Sequence, residues 1–323
     1  MLTPQLSIII PTYNRKEVLL KALEGYKHQT SREEILEVIV VDDGSTDGTG
    51  PAVGAFSRTS PIMIRYLSQQ NKGPAAARNY GIREAKGTLL LFADDDIIPQ
   101  SALVAEHTAW HGRHPGDNFA ILGLVSWSPD VHPTPFMEWL GLDGVIFGYR
   151  FLMPGKEVSF EYFYSCNLSV KREFLMKNGM FDENFRAAAY EDTELGYRLI
   201  NKGLCVLYNP EAMAHHYRRF SYADACRRQE LVCKANVLFE TTEAGRYMKD
   251  RAPRAKPITL KHRVKRAMAR VITPFLVLLT PLLDTHLRLP RRVYCLLYSH
   301  HIAPKAQARF EHRRPRHEDA KGT

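Results

Sequence analysis

Short apolar runs the length of β-strands alternate with segments of helical periodicity through the first hundred residues, and that alternation leaves few folds open. Residues 6–10 (LSIII) read as a buried strand, and residues 17–26 carry Val18, Leu19, Ala22, Leu23 and Tyr26 at helical spacing. Residues 37–41 form the next apolar run, stopped by Asp42-Asp43-Gly44-Ser45, and a helix is expected after Asp47. Residues 61–67 alternate as a strand, residues 73–85 read as a helix closed by Gly87, and residues 88–93 are again a fully apolar strand. Strand–helix–strand units at this spacing imply an α/β protein with a parallel, doubly wound sheet and right-handed crossovers. Ligands in such sheets bind beyond the carboxyl ends of the strands. The polar clusters stand at those ends: Thr12-Tyr13-Asn14, Asp42-Asp43 and Asp94-Asp95-Asp96.

Farther along, residues 110–165 are rich in Trp, Pro, Gly and Tyr with weak periodicity, and read as loops and irregular strands facing a substrate. Order returns at 166–170, with helices expected over 171–178 and 192–202, the latter capped by Gly203. Residues 205–208 form a strand, and residues 210–216 carry the histidine pair His215-His216. Beyond about residue 250 the character changes. Residues 251–323 hold 17 Lys/Arg and 4 Asp/Glu, net +13, whereas the whole 323-residue chain holds 44 and 35, net +9, so residues 1–250 carry −4. A basic amphipathic helix is expected over 261–270, followed by thirteen residues without a charge (271–283) interrupted by Pro274 and Pro281. That pattern suits lying on an anionic membrane surface better than spanning one, since no apolar stretch reaches the roughly 20 residues a span needs. The expected division is a nucleotide-binding α/β domain over 1–220, a helical extension over 221–303 that associates with a membrane, and a disordered basic tail over 304–323. Five scattered cysteines without a CxxC pair exclude a disulfide framework and fit reduced thiols. Residues 1–14 have no basic flank and only a short apolar run, so no signal peptide is expected there, and the expected location is cytoplasmic, peripheral at the inner face of the membrane.

Three clusters carry chemistry. Adjacent carboxylates at Asp94, Asp95 and Asp96 repel one another and need water or a cation; placed directly after an apolar strand, they point to Mn²⁺ or Mg²⁺, which prefer carboxylate oxygens and leave positions open to phosphate. Asp42-Asp43-Gly44-Ser45 reads equally as a turn and helix cap or as a strand-end carboxylate that accepts from a base or ribose. Residues 72–79 (KGPAAARN) bring Lys72 and Arg78 to the start of a helix, a setting that favours phosphate. Phosphate and metal sites together imply a nucleoside diphosphate. Glu191-Asp192 opens a helix, where the dipole alone favours acids, but a carboxylate there is also placed to take a proton from a hydroxyl.

The blocks SIIIPTYNR (7–15), VDDGSTD (41–47), AARNYG (76–81), FADDD (92–96), FDE (181–183) and EDTEL (191–195) resemble family 2 glycosyltransferases of the GT-A fold, in the family's order over about residues 5–217. The resemblance implies inverting transfer of a sugar from a nucleoside-diphosphate sugar to an acceptor hydroxyl, with a mostly parallel Rossmann-like sheet flanked by helices. It implies that Pro11, Thr12, Tyr13, Asn14 and Arg15 with Asp42 or, by preference, Asp43 hold the nucleoside, and that Arg78 and Lys72 lie near the diphosphate. Asp94, Asp95 and Asp96 would bind the metal that bridges the phosphates, His216 rather than His215 would be a further ligand, and Asp192 would be the general base. With the basic tail, the acceptor would be a lipid-linked or cell-surface glycan. A nucleotidyltransferase would share the nucleotide sheet but carry a Gly-rich basic first loop instead of IIIPTYNR. A non-enzymatic membrane or nucleic-acid binder with an inactive transferase fold is the remaining alternative, and no nucleic-acid module is visible to make nucleic acid a partner.

Overall fold

A computed structural model describes residues 5–142, 146–251, 271–272 and 274–303. The chain forms two compact units, residues 1–132 with 140–219, and residues 133–139 with 220–323.

The first unit is built on β1 (Leu6–Thr12), α1 (Lys16–Lys27), β2 (Ile35–Asp42), α2 (Thr49–Thr59), β3 (Ile64–Ser68), α3 (Pro74–Glu84) and β4 (Leu89–Ala93). After these come β5 (Ile97–Pro99), α4 (Leu103–Arg113), β6 (Phe119–Trp127), α5 (Pro135–Leu142), β7 (Asn167–Lys171), α6 (Arg172–Asn178), α7 (Glu191–Ile200) and β8 (Cys205–His216). Residues of α5 through Trp139 group with the second unit. The eight strands form one sheet in the order β3-β2-β1-β4-β7-β6-β8-β5. β3, β2, β1 and β4 run parallel, β7 runs antiparallel to β4 and β6, and β8 is parallel to β6. Helices cover both faces of a sheet like this, so the parallel strands read as continuous apolar runs: Ile8, Ile9, Ile10, Val38–Val41 and Leu90–Phe92 have no exposed surface. Each such side chain contributes about 1.5–3 kcal/mol through burial.

Register, more than any single contact, assembles one working edge. Thr12 is level with Asp42, and Ala93 with Asn167, because β7 begins where β4 ends. Ile97, directly after the acidic triplet, pairs with His216 at the end of β8. The residues after β1, β2, β4 and β8, and those before β7, therefore meet at one side of the sheet.

Two expectations from the sequence need correcting. The segment 110–165 is not irregular throughout: α4 extends to Arg113, and β6 is a nine-residue interior strand. Its Gly123 and Trp127 masked the pattern. β8 continues to His216 instead of stopping at Tyr208, and its pairing with β6 shifts register after Asn209↔Gly123, resuming at Met213↔Leu124. Pro210 falls inside that shift, where no ladder donor is required of it.

The second unit contains α8 (Tyr222–Phe239), α9 (Glu243–Arg251), a 3₁₀ turn (Thr280–Asp284) and α10 (Arg291–Leu297). Ser221 and Asp224 form a reciprocal capping box at the start of α8. Phe136, Trp139, Tyr294 and Tyr298 make a ring cluster, and the Tyr222 amide donates to Asp284. The amphipathic helix expected over 261–270 and the tail over 304–323 lie outside the described residues. No helix among the described residues is long and apolar enough to cross a membrane.

Candidate active site

Beyond the carboxyl ends of β1, β2 and β4 lies a cleft of about 260 Å³. Pro11, Thr12, Tyr13 and Arg15 form one side of it, Asp43, Asn71, Gly73 and Pro74 another, and Arg78, Asp94, Asp95, Arg186 and Ala188 the remainder.

Asp42 and Asp43 part company. Asp42 accepts from the Ser45 amide (2.7 Å) and the Tyr66 hydroxyl (2.5 Å), is buried and does not line the cleft. Asp43 lines it, and accepts from the Gln69 side chain and from the Lys72 and Gly73 amides at 2.7–2.8 Å. Gly73 has φ +92°, and a Cβ there would stand 2.7 Å from the Arg186 carbonyl oxygen, so only glycine lets the two chain segments close the cleft. Lys72 is exposed and outside the lining. Asn14, at φ +51°, uses its side-chain oxygen on the Thr46 amide (2.7 Å), while Tyr13 stands half-exposed at the rim.

Arg15 does not face the nucleoside side alone. One of its nitrogens lies 2.8 Å from Asp95 and the other 2.5 Å from Asp96. Thr12 donates its hydroxyl to the other Asp95 oxygen (2.8 Å), and the His216 Nε2 lies 3.0 Å from Asp96. Burial pushes Asp95 up to about 7, with Asp96 adding to the shift and Arg15 opposing it. Asp96 is equally buried, yet His216 and Arg15 together hold it below the usual carboxylate range. The strand period of two separates the histidines. His216 faces the aspartates, whereas the His215 Nδ1 lies 2.9 Å from the Ser126 hydroxyl.

Asp94 points the other way. Arg78, buried at 3 % exposure on α3, bonds Asp94 at 2.7 Å and Glu191 at 3.2 Å, the latter at the first turn of α7. Burial works against the guanidinium charge, but Asp94, Asp192 and Glu191 hold its pKa above the ordinary value. The same burial pushes Glu191 up to about 8, with Asp192 reinforcing and Arg78 opposing. The neighbouring Asn79 clamps the Phe181-Asp182-Glu183 turn onto α3 through the Phe181 amide and carbonyl and the Glu183 carboxylate, which delivers α7 to Arg78. Asp192 has both oxygens engaged by Ser165, Oδ1 by its hydroxyl (2.7 Å) and Oδ2 by its amide (3.0 Å). Its pKa is raised, chiefly by burial, against the pull of Arg78 and Ser165.

Ser165, Asn71, Arg186 and Ala188 were not visible in the sequence. Nothing in the spacing ties a serine before β7 to an acid twenty-seven positions later.

Among the described residues, no three of the His, Cys, Asp or Glu side chains stand in an arrangement that would hold a metal ion. The reason is local: guanidinium groups already occupy the cation positions, Arg15 between Asp95 and Asp96, and Arg78 on Asp94. The chemistry of the set nonetheless fits a hard divalent ion. Among the described residues, Asp94, Asp95, Asp96 and Glu191 pair with the Arg15 and Arg78 guanidinium groups and the His216 imidazole, and carboxylate oxygen with imidazole nitrogen is a donor set such ions accept.

Residues 7–158 match the family model described as glycosyl transferase family 2. An uncharacterized glycosyltransferase YfnE of Bacillus subtilis is 28 % identical over 255 residues, covering 65 % of this chain and 64 % of that protein. The validoxylamine A glucosyltransferase of Streptomyces hygroscopicus subsp. limoneus is 31 % identical over 233 residues, 65 % of this chain and 51 % of that protein. The chain thus spans between about half and two thirds of the length of these curated relatives. Among solved structures, the mannosyltransferase PcManGT from Pyrobaculum calidifontis in complex with GDP-Man and Mn²⁺ shares the fold with a TM-score of 0.61 at 19 % identity, over 94 % of this chain and 87 % of that one. S. aureus TarS 1–349 in complex with UDP does so with a TM-score of 0.53 at 18 % identity, over 95 % and 91 %.

Proposed function

We propose, from the match of residues 7–158 to the glycosyl transferase family 2 model and from the fold shared with the mannosyltransferase, that this chain is an inverting glycosyltransferase of the GT-A fold moving a sugar from a nucleoside-diphosphate donor to an acceptor hydroxyl. The observation that carries the reading is the Arg78 bridge, which ties Asp94 in the cleft to the Glu191-Asp192 pair at the start of α7. One guanidinium, kept charged by its neighbours, joins the place where a diphosphate would lie to the place where a hydroxyl would be deprotonated.

In this reading the loop from Pro11 to Arg15 and Asp43 receive the nucleoside, with Asp43 preferred to Asp42 because only Asp43 lines the cleft. Arg78 stabilises charge that develops on the departing diphosphate. Asp94, Asp95, Asp96 and His216 are the residues that would hold Mn²⁺ or Mg²⁺, which supplies Lewis-acid neutralisation of the phosphate oxygens. Asp192, oriented by Ser165, takes the acceptor proton as its oxygen attacks the anomeric carbon from the face opposite the leaving group, and a single displacement of that kind inverts the centre. Base assistance of this type is worth about 10²–10⁴ in rate.

The test is Asp192→Asn assayed with a panel of UDP- and GDP-sugars in Mn²⁺. The expected result is transfer reduced by roughly 10²-fold or more with nucleotide affinity unchanged. Undiminished turnover would remove Asp192 from the role, and pyrophosphate release from a nucleoside triphosphate and a sugar 1-phosphate, with no nucleoside diphosphate formed from the sugar nucleotides, would favour a nucleotidyltransferase.

We also place the C-terminal unit against an anionic membrane surface on the cytoplasmic side, which would suit a lipid-linked or cell-surface glycan acceptor. The support is the net charge of +13 over residues 251–323 together with Val271, Phe275 and Leu278, which are 65 %, 67 % and 77 % exposed.

A further inference from the structure

A second cavity opens in the first unit at the edge of the sheet opposite the cleft. Its volume is about 690 Å³, against about 260 Å³ for the cleft, and the transferase reading makes no use of it. Leu89, the first residue of β4, and Lys171, the last of β7, stand level with each other and both line it. The far ends of the same two strands, Ala93 and Asn167, lie beside the acidic triplet, roughly 13 Å away along the strands.

Three cations line this cavity without a counter-anion. Lys171 donates its ammonium protons to the His114, Pro115 and Gly116 carbonyls, and Arg172 donates Nε and Nη2 to the Ile82 and Arg83 carbonyls at 3.3 and 3.4 Å. Lys86 is exposed. Carbonyls orient a cation but leave its charge standing, and among the described residues none of the three pairs with a carboxylate. Asp117 favours the Lys171 charge from a distance, but it and Glu173, the acids on the lining, are both exposed to solvent, which screens them.

The lining also includes His111, 3 % exposed, whose buried Nδ1 has no hydrogen-bond partner. The network behind it fixes what that atom needs. Asn167 donates its amide protons to the Leu124 and Ala212 carbonyls, so its Oδ1 accepts, and the His107 Nε2 at 2.9 Å is the donor. His107, neutral in the fold, then accepts at Nδ1 from the Ser169 hydroxyl at 2.8 Å. With its one proton so placed, Ser169 accepts from the His111 Nε2 at 2.9 Å. His111 is also neutral, so its Nδ1 holds a lone pair and lacks a donor. A seam that served packing alone would leave neither this lone pair nor the three charges unanswered.

We propose that this cavity is a second ligand site, separate from the donor cleft, and that it takes a hydroxylated phosphomonoester of sugar size. The phosphate lies in the field of Lys86, Lys171 and Arg172, and a sugar hydroxyl donates to the His111 lone pair. Inorganic phosphate would fill a small part of the volume, and a neutral sugar would leave the three cations unanswered.

The experiment is titration calorimetry on the full chain with glucose 1-phosphate and glucose 6-phosphate, compared with glucose and inorganic phosphate. The sugar phosphates are then titrated again with UDP or GDP and Mn²⁺ present. At least one sugar phosphate is expected to bind about tenfold or more tighter than inorganic phosphate, with glucose silent. Bound nucleotide should change that affinity by no more than about twofold, since the two sites are far apart. Lys86→Gln, at an exposed side chain, and Met176→Trp, which adds bulk to the lining, should each weaken the sugar phosphate by about fivefold or more. His111→Phe, which keeps the ring without the lone pair, should do the same, and where it fails to fold the other two variants decide. The second site is overturned if no sugar phosphate binds, if inorganic phosphate or glucose binds as well, or if nucleotide displaces the sugar phosphate. It is equally overturned if folded Lys86→Gln and Met176→Trp leave the affinity unchanged. All of these outcomes leave the transferase reading standing. A chain that binds neither UDP nor GDP would instead end that reading, and the three variants would still decide this site.

Discussion

Asp95 and Asp96 are adjacent in sequence and share one guanidinium, yet their acidities diverge because only Asp96 also has the His216 imidazole. A buried carboxylate pair needs a cation, and Arg15 supplies it here from a loop position that remains 34 % exposed at its side chain. Arg15→Gln is therefore expected to cost about 1–3 kcal/mol of metal-free stability, a discounted figure for a pair whose cation is partly solvated, and millimolar Mn²⁺ should restore most of it. Thermal melts with and without chelator read this directly, and an unchanged metal-free melt would show that the pair is neutralised otherwise. Ser165→Ala should lower kcat about tenfold with little change in donor KM, since the hydroxyl orients Asp192 without touching the donor. Steady-state kinetics separate the two parameters. The acids, Arg15 and Arg78 were legible in the sequence because strand ends carry function in doubly wound sheets. Ser165 was not, because its partnership with Asp192 exists only once β7 and α7 are folded together.

Among the elements, β7 shows how one strand face links structure to the site. Asn167, Ser169 and Lys171 recur at a period of two along β7, Ser165 stands in the turn just before it, and α4 answers Asn167 and Ser169 with His107 and His111. His107 lies 2.8 Å from the Ser169 hydroxyl and 2.9 Å from Asn167, and His111 lies 2.9 Å from Ser169. Asn167 also donates to the Leu124 and Ala212 carbonyls, where the β6–β8 pairing changes register. Burial pushes His107 down to about 4 and His111 to about 3. Both imidazoles are neutral in the fold but would titrate near 6.5 once unfolded, so their contribution is present above that value and lost as pH falls toward 4. His107→Leu should cost about 2–4 kcal/mol at pH 7 by stranding Asn167 and Ser169, and the gap to the wild type should narrow between pH 6.5 and 4. Urea unfolding at several pH values measures both effects, and a gap that widened on acidification would contradict the assignment. The parallel strands were readable because burial on both faces makes them uniformly apolar. β6 and the far half of β8 were not, since a glycine, a tryptophan and a proline there are tolerated by a register shift that is invisible in one dimension.

For the molecule as a whole, the asymmetry of charge is the dominant sequence property, −4 over residues 1–250 and +13 over residues 251–323. Vesicle sedimentation of the full chain should show binding to membranes rich in phosphatidylglycerol, weak binding to phosphatidylcholine, and loss of binding as salt rises from about 0.05 to 0.5 M. Phe275→Ser with Leu278→Ser should reduce that binding by about tenfold or more, because each exposed apolar side chain removed costs the transfer energy of its buried area. Binding that is indifferent to lipid charge would remove the electrostatic part of the reading.

By itself the sequence determined the strand-and-helix alternation, and with it the parallel half of the sheet, because burial periodicity and turn chemistry are local properties of the chain. It also determined which acids and arginines reach the strand ends. The resemblance already preferred Asp43 and His216, whereas tertiary structure alone decided that Asp42 turns onto Ser45 and Tyr66, that His215 meets Ser126, and that Arg78 joins Asp94 to Glu191. It also fixed Ser165 as the residue that holds Asp192. Each of these depends on register, and on contacts between residues dozens of positions apart, whose electrostatics come into being only when the sheet closes and water is excluded.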